Sequence, residues 1–528
     1  MPPPYLWPGV YVEEVPSASK PIEGVGTAVA AFVGLAPGGP VNEPVLIPNW
    51  TKFAKTFGDT REPKNGPYMA GAYLAHAVAG YFSNGGGLCW VVRVGGSRGP
   101  PAPEAALPSA SDATVEAFRL VALNPDQGKT TVELQVEPPP AGEPPKEGEG
   151  SSGAAAASPE PSYKLVITTI SEREEFTSLS LKRGRGFIAN KVNGTSKLIK
   201  IEEPAGQLSP PESAPKPGTY ELVPPSIPVA AIGAGDLQGD VATRTGMGGL
   251  AAIDEITMLC APDVMTLDGG MEQIVGLQGK MIEHCELLKD RMTILDVPPG
   301  LSPAQVLDWR MTTAGYDSKF AALYYPWIRV LDPLTGKSIA VPPSGHMAGI
   351  WARNDATRGV HKAPANEVVQ GAIEVDFQVT QEEQGLLNPE HVNCIRRFPG
   401  RGVRVWGART LSSDPEWRYL NVRRLFNYVS ESIMEGTQWA VFEPNDERLW
   451  MQLRIAASNF LTRTWRSGAL FGATPEEAFY VKCDAETNPP ELVEAGQVNV
   501  QIGIAPVKPA EFVVFQISQY TAGAAEAS

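Results

Sequence analysis

The feature that most restricts what this chain can fold into is a series of short, unbroken apolar runs: TAVAAFVG (27–34), LCWVVRV (Leu88–Val94), ITMLCAPD (Ile256–Asp263) and MTILDVPPG (Met292–Gly300). A run without polar alternation is dry on both faces, as strands are inside a parallel sheet covered by helices on either side. The text between the runs supplies those helices. Asn49 can cap a short helix with Trp50, Phe53, Ala54 and Phe57 on one face before Gly58 ends it. GAYLAHAVAGYFSNGG (Gly71–Gly86) repeats Tyr73, Leu74, Ala77, Val78, Tyr81 and Phe82 at helical spacing and stops at Asn84 and Gly85. A further helix is predicted over Met271–Leu288, another from near Ser302, and an aromatic strand over YYPWIRVLD (Tyr324–Asp332). PPSGHMAGIWARNDATRGVHKAPAN (Pro342–Asn366) reads as a loop-rich link to the last domain.

Composition breaks this pattern in one region. PPPAGEPPKEGEGSSGAAAASPEP (Pro138–Pro161) and PAGQLSPPESAPKPG (Pro204–Gly218) contain too little apolar text to offset the entropy of ordering. Beside them TVELQVE (Thr131–Glu137) and YKLVITTI (Tyr163–Ile170) alternate as strands do. Residues 98–228 are therefore expected to be an inserted β-rich domain, dividing an α/β core into residues 26–97 and 229–385. Residues 386–495 are expected to form a last domain. Its helices start at Asn421, with inner face Leu425, Phe426, Val429 and Ile433, and span Asp446–Gly468. The fold class is α/β and α+β, multidomain.

Both ends read as extended arms. In residues 1–25, PGVYVEEV puts Val10 and Val12 on one face and Tyr11 on the other; in residues 496–528, QVNVQIGIA and EFVVFQISQY alternate and are separated by Pro506 and Pro509. An extended arm of ten residues reaches about 33 Å, and ordering it alone costs roughly 1–2 kcal/mol per residue. Beside a neighbour's sheet edge it gains ladder hydrogen bonds of about 0.5–1.5 kcal/mol each and buries alternate side chains. Two donating ends make heterologous contacts, which close into rings or grow into helices.

The 528 residues carry a net charge of −15, which argues against a general nucleic-acid coat or an anionic-membrane binder. No apolar run is long enough to span a bilayer, and the start lacks a cationic, then apolar, leader, so cytosolic folding is expected. The five cysteines form no C-x-x-C pair and read as packed thiols. Catalytic and ligand motifs are weak. Gly85, Gly86 and Gly87 precede a strand, whereas a phosphate loop follows one. IGAGDLQGD (Ile232–Asp240) and GMGGLAAID (Gly246–Asp254) lack G-x-G-x-x-G. His76, the His284–Cys285 pair and His391 with Cys394 have no converging ligand text, and no G-x-S-x-G elbow occurs. No catalytic, cofactor or metal site is expected. One charge signal stands out: between Glu390 and Leu425 eight arginines face three acids. They are either paired with acids elsewhere in the fold or offered to an acidic protein.

YLWPGVYVEEV (Tyr5–Val15), GTAVAAFVGLAPGGP (Gly26–Pro40), NGGGLCWVVRV (Asn84–Val94), GHMAGIWARNDATRGVHKAPAN (Gly345–Asn366) and VWGARTL (Val405–Leu411) together resemble the contractile tail sheath family of phage tails, R-type bacteriocins and extracellular contractile injection systems. The resemblance covers about residues 1–97 and 245–522. It implies a tail-sheath fold and a subunit of a six-stranded helical sleeve that shortens around an inner tube and drives it through a target envelope. The implied partners are further copies of the chain or sheath paralogues, the inner tube protein, and baseplate and tail-terminator or cap proteins, without direct nucleic-acid contact, membrane insertion or a cofactor. Assembly in the bacterial cytoplasm and release in a particle are implied too. By resemblance, Val10, Tyr11 and Val12 match the N-terminal arm and Val498, Val500, Ile502, Val513, Phe515 and Ile517 the C-terminal strands; Arg423 and Arg424 are candidate inner-tube contacts. The competing readings are a soluble nucleotide-dependent α/β enzyme and a static coat or tube protein.

Overall fold

A computed structural model describes residues 21–59, 63–94, 103–112, 115–123, 130–137, 161–169, 172–203, 214–223, 232–267 and 270–515. Val10, Tyr11, Val12 and Ile517 lie outside the described residues. The first unit contributes β1 (Ala30–Gly34), β2 (Pro44–Ile47), α1 (Trp50–Phe57), α2 (Leu74–Ser83) and β3 (Cys89–Arg93). Asn49 caps α1 as its sequence suggests, its Oδ1 accepting from Lys52 N at 2.9 Å.

The insertion holds β4 (Glu104–Pro108), β5 (Glu116–Ala122), β6 (Thr130–Glu137), β7 (Ser162–Thr168), β8 (Arg173–Leu179), α3 (Ile188–Asn193), β9 (Ile199–Glu202) and β10 (Gly218–Leu222). They form two antiparallel sheets, β4-β5-β9 and β10-β6-β7-β8. Phe118, Leu134, Leu165, Ile188 and Ile199 belong to a core of its own. This core is distinct from the two that cover the central sheet.

The chain then continues through α4 (Ala234–Gln238), β11 (Met258–Cys260), α5 (Gly270–Leu288), β12 (Met292–Asp296), α6 (Pro303–Asp308), β13 (Ala321–Tyr325), β14 (Ile328–Leu331), β15 (Ser338–Val341), α7 (Ser344–Arg358), β16 (Glu374–Val375), α8 (Gln381–Leu387), β17 (Val392–Phe398) and β18 (Gly402–Val405). The central sheet runs β18-β17-β13-β12-β11-β1-β3-β2. Its six inner strands are parallel, and β2 and β18 are antiparallel edges. Alternate residues face opposite layers: Ala31, Val33, Leu259 and Leu295 pack with α5 and α6, and Ala30, Phe32, Met258 and Ile294 with α1, α2 and α7. Both faces are covered, which explains the unbroken apolar runs.

Three expectations change. The supposed loop 342–366 contains the 15-residue helix α7, whose small residues Gly345, Ala348, Gly349 and Ala352 resemble turn text but let it lie against α2. A methyl on Gly349 would strike the Tyr81 carbonyl. The aromatic strand splits at Pro326, so that β13 joins the central sheet and β14 a three-stranded one with β15 and β16. Because β17 and β18 complete the central sheet, the last domain starts beyond the expected residue 386. It comprises α9 (Leu420–Gly436), α10 (Glu447–Arg466), α11 (Pro475–Ala478), β19 (Phe479–Lys482), α12 (Pro490–Glu494) and β20 (Gln501–Ile504).

Candidate functional site: the arm roots and the domain joint

The described chain begins inside the last domain's core. Ile22 is fully buried among Leu425, Val429, Phe460 and Leu461, and its carbonyl accepts from Arg463. The next residues are fixed one by one: Val25 N donates to Ser432 Oγ at 3.1 Å, Thr27 Oγ1 to Asp355 Oδ2 at 2.7 Å, and Val29 N to Thr257 Oγ1 at 3.2 Å. Residues 21–29 thus thread the joint between α9, α10 and the central sheet before entering β1. Two cavities, about 190 and 520 Å³, flank the thread. The smaller is lined by Asp254, Asp290, Glu431 and Glu435. There burial, with repulsion from Asp290, Glu435 and Asp254, lifts the Glu431 carboxyl above its ordinary pKa.

The other end is fastened as well. β20 pairs antiparallel with β19 of the same chain, Ile502 opposite Val481. Val498 and Val500 flank Asn499, which exchanges hydrogen bonds of 2.6 and 3.1 Å with Asn488. Residues 498–504 are therefore held within the subunit and are not a free strand, a correction to the expected arm boundary. Proline spacing suggested two equal strands, but the first finds its partner across the α12 turn. The chain then follows the domain surface, Val507 N donating to the Ala469 carbonyl, and is pinned at Glu511. That carboxylate takes both Arg409 Nε (2.9 Å) and Nη2 (2.7 Å), Asn388 Nδ2 (3.0 Å) and Tyr419 Oη (3.2 Å). Partial burial pushes its pKa up, but these donors outweigh burial and hold it below the usual glutamate range. Immediately beyond, Phe512, Val513, Val514 and Phe515 are 74%, 69%, 82% and 83% exposed.

Arg423 and Arg424 sit inside the subunit, contrary to the expected tube-facing position. Arg424 makes a bidentate pair with Asp355 at 2.8 and 2.5 Å, both side chains 4% exposed, while its Nη2 also donates to the Thr27 carbonyl at 2.9 Å. Arg423 lies over the Phe320, Trp417 and Phe426 rings and donates to Asn427 Oδ1; burial lowers its pKa to about 10. Both are enclosed because α9 is covered on more than one side, by the central domain and by α10. Much of the arginine excess is answered from outside its segment: Asp355 meets Arg424, Glu374 meets Arg397 at 3.4 Å, and Glu511 meets Arg409. Ile22, Asp355 and Glu511 were not singled out in the sequence. Glu511 alone carried a signal, as an acid heading the apolar run FVVF.

The strand order matches a doubly wound sheet that reverses between β1 and β11, where such folds take anionic ligands at the strand carboxyl ends. That crevice is filled by the protein. Asp263, fully buried, accepts from Leu35 N at 2.7 Å and from Tyr73 N at the start of α2, and a methyl on Gly34 would overlap its carboxylate. One strand over, Asp296 accepts from Ser344 N at 2.8 Å at the start of α7. Burial raises these carboxyls to about 6 and about 7. Each occupies the helix N-terminus that a phosphate would need. His76 faces Asp332 at 3.8 Å, and His391 Nδ1 bonds the Thr410 carbonyl at 2.8 Å. His284 is buried with its pKa lowered to about 4. Among the described residues no group of three His, Cys, Asp or Glu is placed to hold a metal.

Two family descriptions match adjoining parts of the chain: the phage tail sheath protein central domain over residues 242–411 and the phage tail sheath C-terminal domain over residues 412–519. Their junction falls between the central sheet and α9. The tail sheath protein of Burkholderia phage BcepMu is 24% identical over 529 aligned residues, covering 96% of this chain and 95% of that protein. A putative prophage major tail sheath protein of Pseudomonas aeruginosa is 28% identical across 43% of this chain and 57% of its own length. Among solved structures, the anti-feeding prophage helical sheath in its contracted state aligns with 98% of this chain and 100% of its own, at 25% identity and a TM-score of 0.57.

Proposed function

From the premise that this chain belongs to the phage tail sheath family, and is thus a structural rather than catalytic subunit of contractile assemblies built around a tube, we propose that its two ends are strands donated to neighbouring copies. Among the described residues the sheet β19-β20 has two strands, and such a sheet is marginal alone in water. A donated strand would complete its ladder. The observation that carries the reading is the exposed run Phe512–Phe515, which leaves the subunit directly after the Glu511 anchor. Four exposed apolar residues in a row are a liability in a solitary protein and are accounted for by a partner. Val513 and Phe515, with Ile517 beyond the described residues, are assigned to this donated strand. Val10, Tyr11 and Val12 are assigned to the N-terminal one.

In this reading the copies form a six-stranded helical sleeve on an inner tube, capped by baseplate and terminator proteins. It is assembled in the bacterial cytoplasm in a long, metastable form. Relaxation to a short, wide form moves the tube through a target envelope, the work being a small conformational difference summed over many subunits. The arms keep neighbours joined while the rigid parts turn. Deleting Pro2–Val15 tests this: the truncated chain should stay folded yet give no extended sheaths by electron microscopy. Normal extended sheaths would contradict the arm assignment. A static coat is distinguished by a single diameter before and after a contraction trigger.

A further inference from the structure

We propose that the start of α9 is one clamp for both arm roots, with Tyr419, Asn421 and Arg424 as the positioning residues that fix where the arms leave the subunit and pass load between them. The proposal rests on the arm reading above and adds a route through the inside of the subunit. Arg424 holds the N-terminal root by the Thr27 carbonyl and, through Asp355, by the Thr27 hydroxyl. Asn421 Nδ2 holds the C-terminal root by the Val507 carbonyl at 3.0 Å, and Tyr419 Oη holds it by Glu511. Tyr419 to Arg424 spans only about 8 Å of helix axis. Two chain ends far apart in sequence are thus fastened to the same helical turns.

The clamp is braced against the central domain rather than against the last domain alone. Asp355 belongs to α7, Arg409 and Asn388 flank the central sheet, and Asn421 Nδ2 also bonds the His361 carbonyl at 2.7 Å. The Arg424 guanidinium lies 4.9 Å from the centre of the Trp351 ring, so it cannot move without disturbing the buried face of α7. Asn421 shows that the arrangement is held for its donors: among the described residues its Oδ1 is buried without a partner, while its Nδ2 serves two carbonyls from different segments. An unpaired buried carbonyl is unfavourable, and a simple core filler would avoid it. Independent anchors would not need a shared turn. A shared turn makes loosening of one root felt at the other.

Hydrogen–deuterium exchange on assembled sheaths of the full chain tests this with two mild variants. Thr27→Val removes the hydroxyl donated to Asp355, and Tyr419→Phe removes one donor to Glu511. Thr27→Val should speed exchange of the Ala505 and Val507 amides about two- to tenfold, the scale of one lost hydrogen bond. Tyr419→Phe should do the same to Val25 and Val29. Both variants should lower the denaturant concentration that triggers contraction, while the melting of the isolated chain shifts only slightly, as the loss of a single hydrogen bond would. Faster exchange confined to the mutated root would overturn the clamp. Arg424→Lys is the stronger variant; if it does not fold, the two mild variants still decide. The arm reading fails separately, if chains lacking Pro2–Val15 assemble normally.

Discussion

The central sheet and the small sheet of the last domain solve the same problem in opposite ways. Eight strands are covered on both faces, edged by antiparallel strands, and have their one anion-binding crevice filled by Asp263. Two strands, β19 and β20, rest on a small core that borrows Ile22 from the far end of the chain. The first body is closed on both faces, whereas among the described residues the second is a ladder of two strands only, and the chain beyond it leads into an exposed apolar run. On the proposed arm reading, this difference shows how a subunit can be rigid and joinable at once: stability is concentrated in the covered sheet, and the short ladder is left for a neighbour's strand.

The largest predicted effects separate the two bodies by reach. Trp351 is fully buried, with its indole Nε1 donating to Tyr324 Oη at 3.0 Å. Trp351→Ala should cost about 3–5 kcal/mol and shift the whole urea transition. Arg424→Met leaves Asp355 buried without its cation and should also cost about 3–5 kcal/mol, but proteolysis and exchange should find the damage at residues 21–29 and in α9 first. The double variant Arg424→Met, Asp355→Leu should recover part of that loss in a thermal melt. If Arg424→Met loosened the central sheet as early as the joint, the two bodies would be one cooperative unit and the comparison would break.

A smaller effect is the opposite pH dependence of their buried acids. Asp296 is raised to about 7 in the folded chain against about 3.9 unfolded. Its stabilisation is present at low pH and lost as pH rises from about 4 to 7. Glu511 is lowered when anchored, so its contribution is present at neutral pH and lost as pH falls below about 4.3, the unfolded glutamate value. Urea titrations should therefore show wild type losing ground to Asp296→Asn as pH rises to 7. Exchange at residues 505–511 should show wild type losing its advantage over Glu511→Gln on acidification. Slopes of the same sign would mean that one carboxylate is not in the state assigned to it.

What could be read in the sequence follows the same division. The apolar runs announce the parallel sheet because burial on two faces leaves a local mark on every residue, and Asn49 announces α1 because capping is local. α7 was missed because its close approach to α2 selects small residues that are also turn residues. The joint was illegible for a stronger reason: Arg424 and Asp355 are 69 positions apart, and Arg409 and Glu511 are 102 apart. Arginine excess showed that partners were needed but not where they were. The fate of residues 498–504 was misread because alternation shows that a segment is a strand, never whose sheet it joins.

The smallest effect on the chain is also the sharpest test of the comparison. Val513 is 69% exposed among the described residues. Val513→Asp should change the stability of the isolated chain by no more than about 0.5 kcal/mol, as surface substitutions do. In a donated strand the same carboxylate would be buried against a neighbour's sheet, where an unpaired charge is strongly disfavoured. Each subunit would contribute one such defect, so the loss would repeat along the sleeve. The expected outcome is an unchanged melting curve together with the disappearance of extended sheaths on negative-stain grids. Val513→Ile, which keeps the strand apolar, should assemble. A Val513→Asp chain that builds normal sheaths would show that the exposed run is not where neighbours meet, and the incomplete ladder of β19 and β20 would then require a different strand.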